Sequence, residues 1–527
     1  MDLIFQFLLA ILPIIVIFAG LVFFRQSGTL MGVVGLALTI AIAVVFFQTS
    51  PEIALYASAS GVLASFGISL MVFFTILQVT MMDITGAIGV ISDYIRSIAA
   101  ERYEQIMILN VGLGSCLVSI GATPVTMLPP IMIALGYSPI AAIALPCLGY
   151  DPLTSFSLLA VPLTLPASIF GLDVKLLGCT VALFLPVIST GFALGMLWIA
   201  DGIHGVKKGF LLALIAGLTL GLSCILFVNV LPASAIGLVG VFSGLVTICV
   251  LLAMRVIQGK PVLAPKADPA TGTSPANPPV MPLKRAVLPW LLLVAFCIII
   301  SIPFIQTFLY NLPGSAQQIH VVANKFVDLK LLNQAYFWVL VSTVISAPFL
   351  VKTRTDADKI LRLWLKRAWS PTLAAAVFFA IAYVMDWSGQ SVINNVLTFA
   401  PGATALNMNM VIGLFLALAF GVVFPAVSPT LGLLGTFISG SEASSNVMFH
   451  GILKKASDVL HLDFIQVYAA HAVAGGIASA ISPAKIVNAA AVIDHLGLEG
   501  EVIRRAAPVA IILTLVTGAM LCVMLVL

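Results

Sequence analysis

From Gln105 to Leu172 the chain carries one charged side chain, Asp151. From Trp387 to Leu453 it carries only Glu442, and from Phe464 to Ile493 only Lys485. Runs of that kind belong in hydrocarbon or deep inside protein, because a soluble domain has about one charged residue in four. Across all 527 residues the charged share is 8% and the hydrophobic share 61%. A water-exposed surface is thereby excluded for most of the molecule. With about 20 apolar residues per spanning helix, an all-α polytopic membrane protein of roughly 11–14 crossings or half-crossings is expected. The net charge of +4 says nothing of nucleic acid; the basic residues instead mark which loops face the cytoplasm.

The segment Leu3–Phe24 has no basic leader and no small-residue cleavage site, so it reads as a retained transmembrane helix. Asp2 before it and Arg25 after it put the N-terminus outside. Gly259–Lys284 is rich in Pro, Ala and Thr and lacks helical periodicity, which makes it a linker. Its basic flanks place it in the cytoplasm. The expected division is a transmembrane repeat over residues 1–255, a linker over 256–285 and a second transmembrane repeat over 286–527. In the second repeat Ala286–Phe304 leaves the cytoplasm, Asn311–Asp328 is a polar loop and Ala335–Val351 returns. The return delivers Lys352–Arg367, an amphipathic cytoplasmic or interfacial helix. Ala507–Leu527, entered from Arg504 and Arg505, then ends outside. Two halves running in opposite senses are the arrangement of an inverted repeat.

Each half contains a small, polar interruption, Ser119–Met127 and Ser439–Met448, followed by a short apolar run and an x-Pro break at Asp151-Pro152 or Ser482-Pro483. Unwound backbone in a membrane survives only where protein or water receives its polar groups, so these breaks are candidates for a transport site. The densest is Ser439-Gly-Ser-Glu-Ala-Ser-Ser-Asn446. Ser441 is placed to cap a helix with Glu442 at its first position, which points backbone N–H groups at Ser444, Ser445 and Asn446. Such a start can bind a small carboxylate, with Glu442 as a proton carrier or as a plain complement to its own helix dipole. Asp151 can take a proton or cap the helix after Pro152; Lys485 can neutralise an anion or snorkel to an interface. Thr123 joins the expected substrate site, and His471 and His450 are the histidines embedded in apolar sequence. His204, His320, His461 and His495 read as loop positions.

The seven cysteines are scattered without metal spacing and read as small buried hydrophobes. No Walker loop, HExxH, GxSxG or aspartate-rich pair occurs, so no cofactor, resident metal or nucleotide is expected. Three functions stay open from the residues alone: a secondary transporter, a membrane-embedded lipid or isoprenoid enzyme, and a passive anion channel.

The stretch Gly435-Thr-Phe-Ile-Ser-Gly-Ser-Glu-Ala-Ser-Ser-Asn-Val-Met-Phe449, with Val473-Ala-Gly-Gly-Ile477 and Ile481-Ser-Pro483, resembles the lactate permease family. Ala489–Ile493 leading to Gly497-Leu-Glu-Gly-Glu501, and Gly136-Tyr-Ser-Pro139, agree with it. The resemblance implies a symporter of lactate or glycolate with protons in the cell membrane, moving as an elevator and, by analogy with elevators generally, a homodimer. Ser441, Ser444, Ser445, Asn446, Thr123 and Lys485 then fall to the substrate, and Glu442, Asp151 and His471 to the proton. Another carboxylate or a sulfonate, or Na+ in place of the proton, is the alternative. Departures cluster at the same places. The family's first-half signature survives only as Leu117–Pro124, without its glutamate. Its Asn-Thr-Ala-Pro is Tyr150-Asp-Pro-Leu153, and its Gly-Lys-Met-Ile-Ser-Pro-Gln is Ala478-Ser-Ala-Ile-Ser-Pro-Ala484, with Lys485 following.

Overall fold

Side-chain oxygens start many of the helices. Ser27, Ser50, Thr353, Asn407 and Asp463 each accept from a backbone N–H three residues on, and the Asp173 carboxylate takes two such groups. The computed structural model describes residues 2–24, 26–98, 101–119, 123–260, 280–300, 302–314, 318–399 and 407–526. Helices α1 (Leu3–Val22), α2 (Gly28–Val45), α3 (Pro51–Ala64), α4 (Phe66–Ile84) and α5 (Ala87–Ile98) open the chain. Next come α6 (Arg102–Ile106), a π-helical turn at Met107–Leu113, α7 (Gly114–Ser119), α8 (Pro124–Met127), α9 (Pro129–Ala134) and α10 (Pro139–Tyr150). A 3-10 segment, Asp151–Phe156, leads into α11 (Ser157–Phe170). Helix α12 (Val174–Val230) kinks at Asp201 and Gly202, and α13 (Val239–Ile257) ends the first half.

The second half begins with α14 (Leu283–Ala286), α15 (Leu288–Ile300) and α16 (Pro303–Tyr310). A hairpin of β1 (Gln318–Val322) and β2 (Lys325–Asp328) follows, then α17 (Ala335–Leu350), α18 (Arg354–Trp387) and a second hairpin, β3 (Gln390–Ile393) with β4 (Val396–Phe399). The chain closes with α19 (Met408–Phe420), α20 (Phe424–Val427), α21 (Pro429–Ser439), α22 (Glu442–Leu460), α23 (Phe464–Ile477), a 3-10 turn at Ala478–Ile481, α24 (Pro483–Val492) and α25 (Glu499–Met524).

Among the described residues nine helices are long and apolar enough to cross a membrane, or ten if α15 and α16 count as one bent span. The chain is a multi-pass membrane protein. Four shorter apolar helices, Pro124–Ala134, Pro139–Tyr150, Ser157–Ala167 and Ala335–Leu350, stand beside them, in keeping with an expected 11–14 that counted half-crossings as well. Three expectations are corrected. The fold is mostly rather than wholly helical: Asn311–Asp328 contains the first hairpin instead of a plain loop, and the Asn324 side chain ties it to the second at Leu397 N, 3.0 Å. The basic amphipathic segment up to Arg367 is no separate helix but the first turns of α18. Nothing interrupts its backbone before the apolar part, because Pro371 is tolerated inside the helix. His204 lies in α12 and His320 in β1, not in loops. Of the linker, residues 261–279 lie outside the described residues.

The halves interlock. Helix α18 packs along α3 and α4. At Gly61 the approach is so close that a Cβ there would lie 2.6 Å from the Ala380 Cα. Four cysteines, Cys116, Cys147, Cys224 and Cys297, are buried as expected, whereas Cys249 is exposed.

Candidate functional site

The two polar interruptions of the sequence are helix ends. Helix α7 stops at Ser119 and α8 begins at Pro124; α21 stops at Ser439 and α22 begins at Glu442, with Gly440 between them at φ +70°. Glycine adopts that left-handed conformation without a Cβ penalty. The x-Pro breaks are real as well. The chain leaves α10 through the 3-10 turns of 151–156, and Leu158, Leu159 and Ala160 in succession take positive φ of 49°, 58° and 63°. Three non-glycine residues in the left-handed region constitute local strain of the kind that persists where surrounding packing fixes it. In the second half the break is the 3-10 turn at Ala478–Ile481. Segment 151–156 packs on α23, and α10 packs on the 478–481 turn and on α24, so the two broken spans meet at their breaks.

Glu442 lies at that meeting point, 2% exposed. The Ser155 hydroxyl donates to its Oε1 at 2.7 Å, while Oε2 has no hydrogen-bond partner among the described residues. One turn on, Asn446 is fully buried and its Nδ2 donates to the Pro162 carbonyl at 3.0 Å. Sequence explains that carbonyl. Its helical partner four residues later is Pro166, which has no N–H, so the oxygen is left for the asparagine. The Asn446 Oδ1 has no partner among the described residues. Tyr468 donates its hydroxyl to the Asn446 carbonyl at 2.7 Å. Ser445 Oγ lies 3.3 Å from His471 Nε2 and 3.4 Å from the Gly432 carbonyl; His471 is fully buried.

Lys485 is also buried, and it is within electrostatic reach of Glu442. Its ammonium donates to Ser479 Oγ and lies 3.7 Å from the centroid of the Tyr150 ring. Glycines allow this density. A Cβ on Gly432 would sit 2.0 Å from the His471 carbonyl oxygen, one on Gly435 2.2 Å from Ser445 Oγ, and one on Gly475 3.1 Å from Glu442 Cγ. Among the described residues the cluster offers one carboxyl group, one ammonium and several hydrogen-bonding atoms with open valence in a buried setting.

The structure thus gathers Glu442, Ser445, Asn446, His471 and Lys485. Ser441 caps α22 by position, its carbonyl accepting from Ser445 N at 3.1 Å. Thr123 precedes α8, which packs against the helices bearing Tyr150 and Lys485. The side chains of Asp151 and Ser444 lie outside the described residues. The His450 ring stacks on Phe170 at a centroid distance of 3.6 Å and meets the Tyr468 ring edge to face at 5.5 Å. Sequence reading missed Ser155, Ser479 and the Pro162 carbonyl. Only the last left a signal, the i, i+4 proline pair.

Comparison with known proteins adds what geometry cannot. The sequence profile described as L-lactate permease matches residues 6–527. The chain belongs to the L-lactate permease family. It is 26% identical over 470 residues to an L-lactate permease of Streptococcus iniae, covering 87% of this chain and 92% of the relative. It is 24% identical to the glycolate permease GlcA of Escherichia coli (strain K12), covering 97% and 94% of the two chains. An L-lactate permease of Bacillus subtilis (strain 168) is 26% identical over 95% and 93%. The chain is accordingly a transporter and not an enzyme, and the family implies a lactate-like substrate.

Proposed function

We propose that the protein is a secondary active transporter that carries L-lactate or a glycolate-like 2-hydroxy monocarboxylate across the cytoplasmic membrane together with one proton. The observation that carries this reading is the burial of two opposite charges, Glu442 and Lys485, within electrostatic reach of each other at the crossing of the broken spans. With Glu442 ionised, the two charges cancel. With Glu442 protonated, the site holds one net positive charge, and a single monocarboxylate cancels it. Both of those states can be enclosed in a low-dielectric interior. A site holding only the proton, or only the anion, buries an uncompensated charge at a cost of several kcal/mol, so it does not cross. Coupling follows from charge bookkeeping, one proton to one anion, with no net charge moved.

Ser445 and Asn446 serve the substrate in this reading, and His471 supports Ser445 or shares the proton. Thr123, Ser441 and Ser444 border the same space, and Asp151 serves as a relay for the same proton. The same proposal takes residues 1–255 and 286–527 as inverted repeats moving as an elevator, with both termini outside, lipid around the apolar faces and a homodimer as the assembly. What supports the repeat is the order of parts: long spans, a polar helix end, a span broken at its middle, and a long helix, first in α1–α12 and again in α15–α25. Proteoliposomes test the coupling. An inward acid gradient should accumulate L-lactate or glycolate without electrical current. Absence of accumulation for every 2-hydroxy monocarboxylate, or a current of one charge per anion, would overturn it.

A further inference from the structure

The buried cation of the site is held by an aromatic face from the other half of the chain. Lys485 belongs to α24, just after the second break; Tyr150 is the last residue of α10, just before the first. The ammonium sits 3.7 Å from the Tyr150 ring centroid, well inside the range of a strong cation–π contact. Ser479, in the 478–481 turn, takes one of its three N–H directions. An ammonium stripped of water needs a replacement for its hydration, and a ring face gives one without cancelling the charge. A carboxylate in the same place would hold the ammonium and neutralise it.

We infer that Tyr150 is a positioning residue for substrate binding: its ring face fixes the Lys485 ammonium at the crossing of the breaks, where it meets the substrate carboxylate. This rests on Lys485 being the counter-charge of the substrate. The ring holds the ammonium in place before the anion arrives, so without it each binding event must also order Lys485, which raises KM and leaves the loaded site and its turnover alone. The hydroxyl plays no part in it.

The test replaces residue 150 with phenylalanine and with mono-, di- and trifluorophenylalanine, which drain the ring face at nearly constant volume. Purified protein in proteoliposomes is assayed by counterflow with L-lactate, next to Lys485→Ala. Tyr150→Phe should keep the native KM. KM should then climb with each fluorine to about tenfold, the scale of one desolvated cation–π contact, at unchanged Vmax. In a Lys485→Ala background the fluorines should have no further effect. A flat KM across the series, with Lys485→Ala defective, overturns the role of Tyr150 and leaves the counter-charge standing. A Lys485→Ala protein with native KM overturns the counter-charge itself. A rise already complete in Tyr150→Phe assigns the effect to the hydroxyl and also overturns the inference.

Discussion

Arg367 on α18 grips Asp494, in the turn after α24, with two hydrogen bonds, Nε to Oδ1 at 3.0 Å and Nη2 to Oδ2 at 2.5 Å. The same guanidinium reaches Asp83 near the end of α4 at 3.6 Å. Beside it Val72, Ile76, Ala368 and Val492 form an apolar cluster separate from the main core. The ion pair therefore clips the broken span that carries Lys485 to the α4–α18 pair.

Acid should release that clip. The Arg367 guanidinium holds the Asp494 carboxyl below its usual range. A depressed folded value means the contribution is fully present above the unfolded aspartate value of about 3.9 and is lost as pH falls through the lower one. Thermal unfolding of the detergent-purified protein should give Asp494→Asn a lower Tm at pH 7 and a smaller further drop below pH 4 than the native chain. Equal acid sensitivity of the two proteins would remove Asp494 as a cause.

Glu442→Gln keeps the shape and the Ser155 contact but cannot change charge. Its site holds Lys485 uncancelled when empty and neutral when loaded. The variant should exchange L-lactate for L-lactate across the bilayer yet fail to accumulate it under a pH gradient. Net uptake at the native rate would show that Glu442 only completes its helix start, and a slightly lower Tm would then be its sole effect.

Ser445→Ala and Asn446→Ala separate two jobs. Losing one hydrogen bond to a charged group costs about 1.5–3 kcal/mol, or roughly ten- to a hundredfold in affinity. Ser445→Ala should show that loss of L-lactate binding with its Tm nearly intact. Asn446→Ala should lose binding and Tm together, because its Nδ2 also satisfies the Pro162 carbonyl. Normal binding in both variants would place the substrate elsewhere.

The glycines give a packing test. Gly432→Ala should abolish folded protein, since its Cβ would lie 2.0 Å from backbone at His471. Gly451→Ala, on the same bundle of helices but with nothing within 4 Å, should be neutral or raise Tm. Size-exclusion profiles of the two detergent extracts read the difference directly.

The sequence made the breaks visible, because glycine, proline and clustered hydroxyls punctuate an otherwise uncharged chain at 119–124, 439–442, 151–152 and 482–483. It also singled out Glu442 and Lys485, lone charges at membrane depth. Their partners were not legible. Ser155 and Tyr150 come from the other half, and no periodicity within α10 or the 151–156 turns says which far segment will cross them. The hairpins at 318–328 and 390–399 were hidden for a different reason. Short strands in a polar loop leave too few residues for alternation to register.

The broken span that runs from α10 through α11 carries a debt of time. Ser155 and the Pro162 carbonyl meet their partners 287 and 284 residues further along the chain. At about 5–20 residues per second, those partners emerge from the ribosome roughly 15–60 s later. Through that interval the first half has a broken span with a carbonyl that lacks its asparagine. A polypeptide released after the linker would therefore keep this span wet or out of the bilayer until the remainder is supplied, which makes the second half the assembly partner of the first during biosynthesis.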